Sequence, residues 1–244
     1  MTIEAGLTRY EKINELIKKE LETKKKVVVS DVNGQRYIGC ALDSGKVIEI
    51  HGTPGNDLAC YLNGGRVEVF GNCQDAVGNT MNGGEIIVHG HSGDAMGYGM
   101  RDGQIYIRDN VACRGGIHMK EFREMRPVLV IGKNAGSFLG EYMAGGTIVL
   151  LGLDMKRGEK LFGTHCASGM HGGKIFVRGN FPKENLSPNI NVTNLDSDDL
   201  KELEKYVKRY CRHFDADYDK IMAKKFKKLV PATARPYANL YTPN

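Results

Sequence analysis

Two kinds of side chain in this 244-residue chain are of the right type for catalysis: neighbouring histidines and cysteines, and acidic residues at glycine corners. His165, Cys166 and His171 offer a thiol nucleophile with an imidazole base, the set a small hydrolase would use, or three ligands for one metal. His89 and His91 flank Gly90 as a second imidazole pair. The cysteines, Cys40, Cys60, Cys73, Cys113, Cys166 and Cys211, include no Cys-x-x-Cys and no ferredoxin-type spacing. Neither a zinc ribbon nor an iron–sulfur cluster is indicated, and free thiols in a reducing cytosol are expected. Asp75 and Asp94 share one offset from Gly71 and Gly90, and Asn56 matches it after Gly52. Stacked carboxylates would raise one pKa and suit acid/base work. Asx residues at glycine corners more often accept backbone N–H hydrogen bonds, which is the reading favoured here. No Gly-x4-Gly-Lys-Ser/Thr loop occurs, and the glycines do not open helices, so they are poor phosphate binders.

The elements that must hold these groups are marked by glycine. Of 31 glycines, all but Gly6, Gly34 and Gly39 fall between residues 45 and 179. Seven segments align there: KVIEIHG (46–52), GRVEVFG (65–71), GEIIVHG (84–90), GQIYIRD (103–109), RPVLVIG (126–132), GTIVLLG (146–152) and GKIFVRG (173–179). Their closing residues are 19, 19, 19, 23, 20 and 27 apart. Four residues before each close stand Ile48, Val67, Ile86, Ile105, Val128, Ile148 and Ile175; two before stand Ile50, Val69, Val88, Ile107, Val130, Leu150 and Val177. Alternation with β-branched residues over so short a span predicts strands. Strands without two-residue turns between them are not hairpins, and spacers without helical periodicity do not make βαβ units. A parallel β-helix remains, with coils stacked like on like at ~4.8 Å.

That register already limits the chemistry. His51 and His89 share a column with Phe70 between them, ~9.6 Å apart, too far for one zinc with ~2.0–2.1 Å bonds. Cys60, Cys73 and Cys113 occupy three different columns. Leu62, Met81, Met100, Met143 and Met170 precede strands as one column, read as interior packing and not as metal ligands.

The flanks differ in kind. Residues 8–23 predict a helix with Thr8 and Glu11 as a capping box and Leu7, Tyr10, Ile13, Leu16, Ile17 and Leu21 on one face. Val27 to Val29 predict an opening strand. Residues 181–195 read as an extended connection, followed by helices over about 198–212 and 216–229. The expected organisation is 1–44 as helix and opening strand, 45–180 as β-helix, and 181–244 as connection and closing helices. With 34 basic and 29 acidic residues the charge is only +5, which points to no nucleic acid. No run approaches the ~20 apolar residues of a membrane helix. A soluble cytoplasmic protein is expected.

One outward column is polar at Glu49 and Glu68, then apolar at Ile87, Tyr106, Leu129, Val149 and Phe176; a second carries Ile131 and Leu151. Bare, such a stripe would be a candidate interface. Either the terminal helices or a partner covers it.

The Gly-x2-Gly-x3-Gly repeats, the stretch GEYMAGGTIVLLG (140–152) and SGMHGG (168–173) resemble the C-terminal β-helix domain of the glutamate synthase large subunit. So do Arg36, Gly39, Ser44 and Gly45 in the stretch 33–45, the helices over 200–229, Val230-Pro231 and Tyr237. The repeat alone is similar also to that of a scaffold subunit of formylmethanofuran dehydrogenase. The resemblance implies an all-β, single-stranded, right-handed parallel β-helix of about seven coils with flanking helices and no catalytic, cofactor or metal residues of its own. Glutamine hydrolysis and the reductive transfer of ammonia to 2-oxoglutarate belong, in that family, to amidotransferase and synthase domains, which carry FMN and an iron–sulfur cluster. These domains are absent from the 244 residues, so the resemblance implies a stand-alone piece of a split enzyme. Separate amidotransferase and FMN-binding synthase subunits are the expected partners, without nucleic acid or membrane, and self-association is left open.

Overall fold

The computed structural model describes residues 2–234, so Tyr237 lies outside the described residues. The strands among them are β1 (Thr2–Glu4), β2 (Lys26–Asn33), β3 (Val47–Thr53), β4 (Asn63–Phe70), β5 (Asn82–Val88), β6 (Asp102–Ile107), β7 (Val128–Ile131), β8 (Ala144–Leu150), β9 (Gly172–Arg178), β10 (Ile190–Thr193) and β11 (Phe226–Pro231). They form one sheet in the order β1 to β9, then β11 and β10. From β1 through β9 every pairing is parallel, one strand per coil, and this is the expected parallel solenoid. Three α-helices among the described residues accompany it: α1 (Tyr10–Thr23), α2 (Ser197–Phe214) and α3 (Tyr218–Met222).

Opposite the strands, each coil returns through consecutive turns in which every second residue is left-handed. One coil has positive φ at Ala95, Gly97 and Gly99, the next at Arg114, Gly116 and His118, the next at Phe138, Gly140 and Tyr142. A left-handed residue with a Cβ costs roughly 1–2 kcal/mol, and the cost recurs coil after coil. Hydrogen bonds between coils offset it. Ala95 N–H donates to Cys113 O of the next coil (2.8 Å), Gly97 N–H to Val77 O of the previous one (2.8 Å), and Gly99 N–H to Ile117 O of the next (2.9 Å). The middle position must also be small: a Cβ on Gly116 would lie 2.6 Å from Ile148 Cδ1, a side chain of the strand wall. This alternation is the physical content of the glycine repeat.

The interior is aliphatic, and Met81, Met100, Met119, Met143 and Met170 pack in it as a buried column. Met119 joins the column from the coil whose aligned segment is least regular in sequence. In that coil the expected register is wrong by one residue. Leu129 pairs with Ile105, and Ile131 with Ile107, so Leu129 and Ile131 point inward while Val128 and Val130 face out. The residue that closes the coil beside Asp109 is Lys133, not Gly132.

The ends depart further from expectation. Arg9, not Thr8, stands at the start of α1 and makes no side-chain cap; Glu11 turns back to pair with Arg9 at 2.7 Å. Ile13, Ile17 and Leu21 of α1 pack on the first coil, but Leu7 is 98% exposed. The second expected closing helix is only α3; β11 follows and runs antiparallel to β9, and β10 runs antiparallel to β11. An unpaired β9 would leave a row of bare N–H and C=O groups, and β11 satisfies them.

Candidate functional site

The outer apolar stripe is not a free docking face, because α2 lies on it. Tyr106, Val130, Val149, Leu151 and Phe176 form one buried cluster with Leu203, Tyr206, Val207 and Tyr210 of α2 and with Ile221 and Phe226. Ile87, in register between Glu68 and Tyr106, is fully buried. Leu129 leaves the candidate interface altogether for the reason given by its register. Leu200, expected on the packed face of α2, is instead 44% exposed.

Polar contacts hold α2 and α3 in place along the stripe. Asp196 and Asp199 cap α2, Tyr210 Oη donates to Arg108 O (3.0 Å), and Thr147 Oγ1 donates to Glu202 (2.7 Å). The buried Arg178 guanidinium donates to Leu151 O (3.2 Å), Lys220 O (3.1 Å) and Ile221 O (2.8 Å). Glu85, 7% exposed, accepts from Arg209 Nε (2.6 Å) and His213 Nε2 (3.1 Å). Burial alone would raise its pKa, but those two donors outweigh it and hold the carboxyl at about 2, below the ordinary 4.5. A depressed carboxyl contributes stability that is complete above the unfolded pKa and disappears as the pH falls through the folded one. Glu85→Gln should therefore lower stability by about 3 kcal/mol at pH 7, and the difference from the parent chain should shrink between pH 4.5 and 2. Denaturant unfolding across that range checks it.

The acidic corner residues are engaged in stacking. Asp75 N–H donates to Asn56 Oδ1 (3.3 Å), Asp94 N–H to Asp75 Oδ1 (2.8 Å), and Cys113 N–H to Asp94 Oδ1 (2.8 Å). Each side chain caps the backbone of the following coil, so the column is a structural ladder.

His51, Phe70 and His89 stack with centroid separations of 5.0 and 4.5 Å, and the phenyl ring separates the two imidazoles. Glu49 and Glu68 bond their Nε2 atoms at 2.8 and 3.0 Å. The residues expected of a hydrolase do not assemble. His165 stacks on Phe138 (4.9 Å), His171 Nδ1–H donates to Gly169 O (3.1 Å), and Cys166 is in the core, where burial pushes its thiol up. Among the described residues no three of His, Cys, Asp or Glu are grouped to hold a metal ion.

Two features of the structure are not evident from the sequence. Cys40 stacks directly on Cys60, a pair hidden because Cys40 precedes the first aligned segment. The second is the outer surface of the turn wall, where Tyr61, Tyr98 and Tyr142 are 52%, 42% and 38% exposed. His118 meets Tyr98 edge-on (5.7 Å) and stacks on Tyr142 (5.3 Å), and the Arg114 guanidinium sits 5.2 Å over the Phe138 ring. Only the alternating backbone turns these side chains outward together.

Comparison with known proteins agrees with the geometry. The chain is 43% identical over 240 residues to "Uncharacterized protein MJ1350" of Methanocaldococcus jannaschii, covering 96% of this chain and 92% of that one. Its fold is similar, with a TM-score of 0.66 at 20% identity, to a chain of the formyltransferase/hydrolase complex (FhcABCD) from Methylorubrum extorquens in complex with methylofuran. That likeness covers 86% of this chain and 79% of the other. No helix among the described residues is long and apolar enough to cross a membrane. The model of the GXGXG motif matches residues 9–235, and the chain belongs to that family, the type of domain found at the C-terminus of glutamate synthase.

Proposed function

We propose that this chain is a non-catalytic scaffold subunit that docks, through its turn wall, onto separate glutamine amidotransferase and FMN/iron–sulfur synthase subunits. The observation that carries this reading is the run of Tyr98, then His118 with Arg114, then Tyr142 on three successive coils. Aromatic and arginine side chains on a rigid support are favoured anchors of protein interfaces. The polar groups of the column bearing Asp75 and Asp94 are meanwhile taken up between coils. FMN and the cluster belong to the partners, and this chain supplies shape. A second reading, a scaffold within a formyltransferase-type complex, is favoured by the fold shared with the FhcABCD chain.

The test is affinity purification of the tagged chain from its own cells, with partners identified by mass spectrometry and flavin absorbance. Stoichiometric recovery of an amidotransferase and a flavoprotein is expected, reduced at least tenfold by the double substitution Tyr98→Ala, Tyr142→Ala. A formyltransferase partner would transfer the assignment to the second reading, and recovery of no enzyme subunit would end the scaffold assignment.

A further inference from the structure

Cys40 and Cys60 lie at equivalent positions of consecutive coils. Tyr37 N–H donates to Asn56 O, Ala59 N–H to Ile38 O and Ala41 N–H to Cys60 O, which fixes one thiol above the other. Burial, and after it the neighbouring Cys40 thiol, push the Cys60 thiol up to about 12. Coils spaced by ~4.8 Å bring stacked Cα atoms within the ~4.4–6.8 Å that a disulfide spans. The two thiols differ in access: Cys60 is 3% exposed, whereas Cys40 is exposed. Cys40 also borders a cavity of about 500 Å³ between α1 and the first coil, with Asn14, Ile17, Leu21 and Tyr37 among its lining residues.

The geometry points to a modification site: Cys40 and Cys60 form a reversible disulfide between coils, made by exchange with a low-molecular-weight disulfide. The Cys40 thiolate attacks one sulfur of the reagent, forming a mixed disulfide and releasing one thiolate, which takes up a proton. Cys60 then loses its proton and attacks the Cys40 sulfur, the mixed disulfide breaks, and the second reagent thiol leaves. Two thiols of the protein are oxidised by two electrons, and one reagent disulfide is reduced to two thiols. The exposed partner is the attacking group and the buried one resolves, as their accessibility requires. The link encloses β3 and ties the first coil to the second beside the groove under α1. The inference needs no partner subunit and is independent of the scaffold reading.

The full chain is treated with oxidised glutathione, alkylated, and digested with trypsin, which cuts after Arg36, Lys46 and Arg66. The expected product joins peptides 37–46 and 47–66, about 2 Da lighter than their reduced sum, and dithiothreitol separates them. Cys60→Ser should stop the exchange at a glutathione adduct on Cys40, and Cys40→Ser should yield neither product. Both peptides recovered fully alkylated from the unsubstituted chain, or a glutathione adduct that persists on its Cys40, would overturn the assignment. The unsubstituted chain alone decides between these outcomes, so a variant that fails to fold does not blunt the test.

Discussion

Phe176→Asp should release α2 from the solenoid and lower stability by at least about 4 kcal/mol. The ring is fully buried, in register with Val149 on one side and opposite Lys228 on the other, inside the cluster that joins strands to α2. Truncating a buried phenyl ring typically costs about 3–5 kcal/mol, and a carboxylate placed there adds a desolvation penalty. Lys174 Nζ sits 5.4 Å over the ring but is already bound to Asp199 (3.2 Å) and Glu202 (2.7 Å), so rescue by a new ion pair would break an old one. Calorimetry should show a fall of roughly 10 °C or more. Trypsin should cut rapidly at Lys201, Lys205, Lys208 and Arg209, sites that a docked α2 protects. Unchanged protection and melting would mean that α2 does not seal the stripe.

Gly71→Ala should be as damaging for a different reason. Its new Cβ would lie 2.1 Å from the Gly52 carbonyl oxygen, where only backbone could yield. Shifting that backbone breaks the parallel ladder on both sides, because His51 pairs with Phe70 and Val69 with Val88. A loss of about 3 kcal/mol or more is expected, in the range of overpacking and broken coil bonds together. Gly158→Ala is the contrast, since nothing lies within 4 Å of the added methyl and only its φ of +89° opposes the change. It should cost roughly 1–2 kcal/mol. Solenoids unfold coil by coil, so hydrogen exchange over residues 47–90 separates the two variants more clearly than a single midpoint. Equal protection in both would refute the packing argument.

Strand positions are legible in the sequence wherever alternation carries a phase. Ile48-Glu49-Ile50 and Val67-Glu68-Val69 state which side faces the core. Val128-Leu129-Val130-Ile131 is apolar throughout and states nothing, so an alignment anchored on Gly132 slips by one residue. The same uniformity puts Leu129 into the candidate interface. The aromatic wall is illegible for another reason, since side-chain direction there follows from left-handed residues such as Arg114, His118 and Tyr142, which composition does not distinguish from ordinary loop residues. Closing strand β11 escapes because Phe226-Lys-Lys-Leu229 has no strand alternation; the open edge of β9 imposes the extended form. The occupant of the outer stripe can be narrowed but not chosen from sequence, although Leu203, Tyr206, Val207 and Tyr210 already form the complementary face.

The up-and-down alternation of peptide N–H groups along the turn wall has an electrical result. Where an α-helix aligns its peptide dipoles and accumulates charge at its ends, dipoles here cancel within each coil, and parallel strands add little. The axis of the solenoid therefore carries no lengthwise field, however many coils are stacked. A severed end would attract no counter-ion; it would attract another strand. That is why the sheet ends on short strands, β1 of three residues beside α1 and β10 of four, which leave little edge for another chain to pair with and are barriers to polymerisation, not electrostatic caps.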